Sequence, residues 1–380
     1  MGDELDLVEF RKALHRHPEL SRHEGETAGT IADALGRVGA RRVIRGLGGH
    51  GVAAVLEGDE PGPTVLLRAD LDALPIEEVN DFEHRSEVDG VAHKCGHDGH
   101  MTILVGTAQR LLNRLDRLRG RVVLLFQPAE EIAHGAKAVV EDPAFERIAP
   151  DYVFGLHNLP GFAAGDVVLR KGEFASASQG LIARLRGRTS HAGEPHHGRT
   201  PMHAMTALMH ALADIPSLST PLERAALVTV IHARLGEIAF GTTPGYAEVM
   251  ATFRSHRNEE MEQMVRRAES LVEGLARTHE LESSTEWVEI FPAVRNTDEC
   301  VDVVERAARR AGAEIVWPEF PFSWTEDFSY FLLRHQGAFF GLGAGLDQPQ
   351  LHSPDYDFPD RVIPRGVEMM TGIVEELLQK

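Results

Sequence analysis

Apolar residues recur along this chain with two different periods, and the change from one to the other divides it. In the first forty positions the core-facing residues fall at helical spacing: Leu7, Phe10 and Leu14 on one run, Thr27, Ile31, Leu35 and Val38 on the next, with Pro18 between them. Short β-branched runs follow at Gly51 to Leu56, Thr64 to Leu67, Arg121 to Phe126 and Tyr152 to Leu156, and these read as buried strands. Between the second and third, Leu104, Ala108, Leu111 and Leu115 keep helical register from Met101 to Leu115. Strand, helix, strand predicts an α/β fold, a sheet flanked by helices. In such sheets functional groups gather beyond the carboxyl ends of the strands. Asp70 and Asp72, Glu130 and Glu131, and His157 each follow one of these runs.

From about Ser176 to Trp287 the texture differs. Gly180 to Arg186 and Ala226 to Ala233 alternate like half-exposed strands, and Tyr246 to Arg254 does so less regularly. One accompanying helix has Thr200 as N-cap, Pro201 at its first position, and Met202, Met205 and Met209 facing inward. The other begins at Asn258, with Glu259 and Glu260 in its first turn and Met261, Val265, Ala268, Val272 and Leu275 toward a core. This block predicts an α+β insertion, after which the first texture resumes. The expected organisation is one domain in two parts, residues 1–176 and 288–380, interrupted by a second, 177–287.

A chain of 380 residues is long for one ordinary core, in keeping with that division. Its 39 basic and 58 acidic residues give a net charge of −19, which argues against nucleic acid and anionic membranes as partners. The start, Met1-Gly2-Asp3-Glu4-Leu5-Asp6, carries acids where a secretory signal would carry basic residues. Apolar runs such as Val122 to Phe126 fall far short of the roughly 20 residues of a membrane helix. The expectation is a cytoplasmic protein with no membrane span. Cys95 and Cys300 are the only cysteines, too few for a disulfide framework. Cys300 falls in the helix-like run Thr297 to Gly312, beside Val301, Val304 and Ala308, and reads as structural.

Candidate chemistry centres on Lys94-Cys95-Gly96-His97-Asp98-Gly99-His100, which packs a thiol, two imidazoles and a carboxylate beside two glycines. Thiolate and neutral imidazole suit divalent first-row metals. Of the adjacent Glu130 and Glu131, one can bind a metal while the other faces substrate, taking a proton from water and passing it to a leaving amine. Asp72 suits either an orienting role behind a ligand or a surface turn, and His157 either a ligand or a satisfied core histidine. His352, after the glycine-rich Gly341 to Gly345, is by itself a loop histidine as readily as a ligand.

Six motifs bring these residues into one frame: Leu14-His15-Arg16-His17-Pro18-Glu19-Leu20, Arg68-Ala69-Asp70-Leu71-Asp72-Ala73-Leu74-Pro75, Cys95-Gly96-His97-Asp98-Gly99-His100, Pro128-Ala129-Glu130-Glu131, Thr325-Glu326-Asp327-Phe328 and Leu351-His352-Ser353-Pro354. In this order, over nearly the whole chain, they resemble the amidohydrolase branch of the aminoacylase-like metallopeptidases, which includes N-acyl-amino-acid amidohydrolases, hippurate hydrolases and plant auxin-conjugate hydrolases. The resemblance implies a two-metal centre held by Cys95, His97, Glu131, His157 and His352, with the Cys95 thiolate as candidate bridge. It makes Glu130 the general base and acid and Asp72 the orienting aspartate, while Asp70 falls where more distant relatives carry a metal-binding histidine. The mixed sheet and its helices become the catalytic domain, and the insertion a lid or dimerisation domain. There His191 matches an oxyanion-stabilising histidine, in many relatives acting across a dimer interface, and Arg254 an arginine for the substrate's α-carboxylate. Gly241-Thr242-Thr243-Pro244 stands where relatives usually carry Asn-Val-Ile-Pro, and Thr200 where they carry Asp or Asn.

The resulting expectation is a homodimeric, metal-dependent hydrolase of a small-molecule substrate, the amide of an N-acyl-L-amino acid, using two divalent ions. Zinc suits a thiolate-containing site, and the resemblance also admits manganese, cobalt or nickel. The alternatives are a dipeptidase or carboxypeptidase of the same family, or a non-catalytic protein that binds in the same cleft. A purely structural zinc site is disfavoured, because such sites use four closely spaced ligands.

Overall fold

A computed structural model describes residues 4–221 and 223–379, and the chain forms two units. The first runs to Phe174 and takes in Val294–Pro321 and the chain from Asp327 on; the second comprises Ala175–Ala293 and Phe322–Glu326. A boundary at residue 287 would cut the strand Glu282–Phe291, and the unit boundary lies just past that strand's end.

The first unit is built on an eight-stranded mixed sheet. Four neighbouring strands run parallel, in the order Arg119–Gln127, Glu60–Asp70, Tyr152–Pro160 and Gln336–Gly345. Gly51–Glu57 and then Val43–Leu47 extend one side in antiparallel fashion, and Val167–Val168 and Ile315–Val316 close the other. The inner strands are buried on both faces, which is why they read as unbroken apolar runs rather than alternating ones. Leu7–Arg16, Gly25–Val38, His97–Leu112, Asp298–Arg310 and Ile363–Leu378 are the main flanking helices. Asp6 caps the first by accepting from the amides of Val8 and Glu9 at 3.0 and 3.2 Å. Cys300 is buried in the fourth, with Val301, Val304 and Ala308.

Register sets the functional edge. Asp70 pairs with Gln127, and Arg68 with both Leu125 and Gly155. The carboxyl ends of three parallel strands therefore lie side by side, at the position where α/β sheets place their ligands. The strand through Tyr152 continues to Pro160, so His157 sits within it rather than after it. The helix expected from Met101 begins four residues earlier, at His97.

The second unit has a four-stranded antiparallel sheet, ordered Ala226–Leu235, Tyr246–Ser255, Ala177–Arg186, Glu282–Phe291, against which the helices Met202–Ser219 and Asn258–Thr278 pack. Alternate residues of the inner strands, Leu181, Ala183 and Leu185 and then Ala247, Val249, Ala251 and Phe253, supply its core. Met205 is buried and Met209 partly so, but Met202 is exposed, a correction to the expected inward stripe. The buried face runs through Ala204, Leu208, Leu212 and Ile215, and Met202 lies on the opposite side of the first turn. Among the described residues no helix is long and apolar enough to cross a membrane.

Candidate metal centre

Gly96 makes the local geometry of the centre possible. Its φ of +90° is left-handed, and a Cβ there would come within 2.7 Å of Asn158 Oδ1, so both backbone and space call for glycine. The turn places Cys95 directly ahead of the helix that starts at His97. Cys95 Sγ is 3.3 Å from His157 Nε2. Each histidine is held through its other nitrogen: His97 Nδ1 lies 2.8 Å from the Asp72 carbonyl oxygen, and His157 Nδ1 lies 2.9 Å from that of Asn158. A ring N–H donating to each carbonyl leaves both Nε2 lone pairs for a ligand, the usual arrangement behind metal-binding histidines.

Two of the donor triplets that result run through Cys95. Cys95, His97 and His157 form one, Cys95, Glu131 and His352 the other, each drawn within 4.8 Å, and they share the thiol. His97 Nε2 is also 3.8 Å from Glu131 Oε1, and His352 Nε2 is 3.7 Å from Glu131 Oε2. All five residues come from the first unit. Among the described residues, His97 Nε2 and Glu131 Oε1 are buried without a hydrogen-bond partner. Buried polar atoms are ordinarily paired, so two orphans aimed into one donor cluster fit a divalent cation.

The electrostatics agree. Burial opposes charge on His97, but Asp70, Asp72 and Glu131 outweigh it and raise the imidazole to about 10. Burial pushes Glu131 up, and Asp72 and Asp70 push it further, against His97. Burial, with Glu131, Glu130 and Asp70, raises the Cys95 thiol well above its ordinary value. Burial lowers His157, with His100 adding to the effect, and so keeps it neutral. The pocket thus concentrates carboxylates round groups that hold protons, and a divalent cation would take over the role those protons play.

Glu130 is buried beside this cluster, grouped with His97 and Glu131, and its Oε1 accepts from the Asp327 amide at 3.3 Å. Asp327 is in turn fixed by Arg68 Nη2 at 3.0 Å, Gln127 Nε2 at 2.8 Å and the Ala136 amide at 2.9 Å. The same Arg68 donates to Gln127 Oε1 and to Asp70 Oδ2, at 2.9 and 2.7 Å. Asp72 ties three segments together: its Oδ2 accepts from Ser21 Oγ at 2.7 Å and from the Glu131 amide at 3.0 Å, while its carbonyl holds His97. Asp70 accepts from His100 Nδ1 at 2.7 Å and lies 3.5 Å from His97 Nε2.

His191 and Arg254 belong to the second unit. His191 is exposed, its Nδ1 accepts from the Gly193 amide at 3.1 Å, and its strand pairs with Thr242–Thr243. The unusual Gly241 to Pro244 segment is therefore His191's own pairing partner. Arg254 donates to the Ser323 carbonyl at 3.0 Å.

A buried ionic network next to the turn from Cys95 to His97 is absent from the residue assignments made on sequence. Arg11, fully buried, donates from Nη1 to Asp98 Oδ2 at 3.2 Å and to Asp357 Oδ1 at 2.7 Å, and from Nε to Asp360 Oδ1 at 2.7 Å. His15 bridges Asp98 Oδ2 and Glu78 Oε1 at 2.8 and 3.1 Å, and Lys94 also donates to Glu78 Oε1. The available signal was His15 in the first motif, Asp98 in the third, and Lys94 immediately before it. Burial disfavours charge on His15, but Asp98, Glu78 and Asp357 overcome it and raise it to about 9, even with Arg11 and the rings of His84 and His93 nearby. A histidine raised from about 6.5 stabilises fully below that value and loses its contribution as pH climbs toward 9. The stability difference between wild type and His15→Gln, from thermal unfolding, should therefore shrink by on the order of 3 kcal/mol between pH 6 and 9.5. A pH-independent difference would rule out the charged imidazole.

The sequence model of peptidase family M20/M25/M40 matches residues 66–376. An N-acetyl-L-cysteine deacetylase of Bacillus subtilis is 34% identical over 99% of this chain and 89% of its own length. A hippurate hydrolase of Campylobacter jejuni is 32% identical over 98% and 97%, respectively. The crystal structure of the Bacillus subtilis YxeP protein, described as a dinuclear metal-binding peptidase from the M20 family, superposes with a TM-score of 0.83 at 28% identity, covering 97% of this chain and 96% of that one.

Proposed function

The chain belongs to peptidase family M20/M25/M40 and is a metal-dependent amidohydrolase; from that premise we propose that it cleaves the amide of N-acyl-L-amino acids, releasing a carboxylate and the free amino acid. One observation carries the reading: two donor triplets share Cys95, and a buried carboxylate that belongs to neither, Glu130, lies beside them. Relatives named for N-acetyl-L-cysteine and hippurate support the substrate class.

In this proposal Cys95, His97 and His157 hold one divalent cation and Cys95, Glu131 and His352 the other. When bound, the cations supply Lewis-acid polarisation of the amide carbonyl and make water acidic near neutral pH. Glu130 takes the proton of the attacking water and delivers it to the leaving nitrogen. Asp72 keeps His97 and Glu131 in register. Thiolate softness favours zinc, while imidazole and carboxylate donors also accommodate manganese, cobalt or nickel.

His191 is assigned as the donor to the developing oxyanion and Arg254 as the partner of the substrate carboxylate, from this chain or a second copy. His191→Ala should lower kcat by roughly 10²- to 10³-fold, the worth of one oxyanion donor. Arg254→Ala should instead raise KM for substrates with a free carboxylate and leave their carboxamides little changed. Steady-state kinetics on both substrate forms would expose an equal effect on the two, which contradicts the Arg254 assignment. A homodimer is the proposed assembly, supported by the edge strand Ala226–Leu235, with Leu227 and Ile231 exposed, and by the fully exposed Ile238 and Phe240 close by in sequence. A cytoplasmic location remains part of the proposal.

The decisive test is metal analysis coupled to a panel of N-acetyl, N-benzoyl and indole-acetyl amino acids, with dipeptides alongside, scored for free amine. Turnover of dipeptides alone would move the assignment to a peptidase. Full metal loading without turnover of any member would make the chain a binding protein.

A further inference from the structure

We infer that Lys94 is a positioning residue that sets His352, and through it one of the two candidate cation positions; the inference rests on the two-metal reading above. Lys94 is fully buried and immediately precedes Cys95. Its ammonium donates to Glu78 Oε1 and, at 2.8 Å, to the carbonyl of Tyr356, while its own carbonyl accepts from the His352 amide at 2.8 Å. The residues after Glu78 grip the same stretch. The Val79 amide donates to the Pro354 carbonyl at 3.3 Å, and Asn80 Nδ2 reaches both Glu78 Oε1 at 3.1 Å and the Asp355 carbonyl at 3.2 Å. The chain from His352 to Tyr356 is thus tied at residues 352, 354, 355 and 356 to a frame whose buried ion pair is Lys94 with Glu78.

His352 needs such a frame more than the other ligand candidates do. Its φ of +65° lies in the left-handed region, which a residue with a Cβ occupies only when its surroundings hold it there. Its side chain is 52% exposed, and its Nε2 lies 3.7 Å from Glu131 Oε2, beyond hydrogen-bond range. Its placement therefore comes from the backbone, and the backbone is held from Lys94. His97 and His157 are oriented by the carbonyls of Asp72 and Asn158 instead, without the Lys94 side chain. A buried ammonium is costly unless paired, and an apolar side chain could fill the same space. What the ammonium adds is a directed bond to the 352–356 segment. Its loss should fall selectively on the Cys95, Glu131 and His352 position.

The test titrates metal-free chain with Co²⁺, reading the number of cations bound, their affinities and the ligand-field and thiolate absorption of each. Lys94→Met keeps length and apolar volume, and Glu78 retains His15, Asn80 and the Ser86 amide as partners. Wild type should take up two Co²⁺. Lys94→Met should keep one within a few fold and weaken the other by roughly 10- to 100-fold, the usual cost of losing an outer partner of a metal ligand. His352→Ala should weaken the same one. Unchanged binding of both cations in Lys94→Met would overturn the inference, and so would equal weakening of both. Wild type binding fewer than two would instead count against the two-metal reading. Should Lys94→Met lack the wild-type circular dichroism and cooperative melt, Glu78→Gln, which keeps Lys94 but loosens its hold, takes its place: a selective but smaller loss supports the inference and unchanged affinities overturn it.

Discussion

Glu130→Gln should lower turnover by roughly 10²- to 10⁴-fold, the range for a positioned general acid–base group, while leaving bound metal unchanged. Glutamine keeps the size of the side chain and an oxygen that can still accept from the Asp327 amide, which reaches Glu130 Oε1 at 3.3 Å. It removes only the capacity to take up a proton. Orientation itself is secured elsewhere, since Asp327 is pinned by Arg68, Gln127 and the Ala136 amide. The neighbouring Glu131→Gln should behave differently, losing metal as well as turnover, because Glu131 shares a donor triplet with Cys95 and His352. Stopped-assay kinetics at saturating substrate and metal, with metal content measured on the same samples, separates the two. Near wild-type kcat in Glu130→Gln would remove it from the chemistry.

The two glutamates also show where sequence reading stops. That adjacent carboxylates take different tasks was legible, because they follow a buried strand and match a family motif. The means was not: Ala129 and Ala133, on either side of the pair, both adopt left-handed φ values, 51° and 56°, that nothing in Pro128-Ala129-Glu130-Glu131 announces. The inner strands and the two N-terminal helices were legible because burial on both faces or on one helical stripe leaves a strong pattern. The strand Glu282–Phe291 was missed because it lies at the edge of its sheet with most side chains exposed, so Glu282-Ser283-Ser284-Thr285-Glu286 carries no apolar alternation. The ionic network was invisible for another reason. Its members meet across separations of 83 residues for His15 with Asp98 and 346 for Arg11 with Asp357. Charged residues so far apart read as ordinary surface until the fold buries them together.

Cys95→Ser should strip the centre of both cations and abolish turnover with them, a larger loss of affinity than the roughly 10- to 100-fold expected when only an outer partner of a ligand is removed. The reason is topological: the two donor triplets have Cys95 in common, so no other single substitution touches each of them through the same atom. Burial and the carboxylates of Glu131, Glu130 and Asp70 keep the free thiol protonated, so a cation must displace that proton to form the thiolate. A serine hydroxyl is harder and far less acidic, and it does not replace that ligand. The same competition fixes the sign of the pH dependence. Protons and metal contend for the sulfur, so affinity should fall as pH falls, and protection of Cys95 against alkylation by bound metal should weaken in step. Cys300, buried in its helix, provides an internal reference whose labelling metal should not alter. Mass spectrometry of the labelled chain, with metal content after dialysis, reads both effects. Two cations retained in Cys95→Ser, or equal labelling of Cys95 with and without metal, would exclude the shared thiolate.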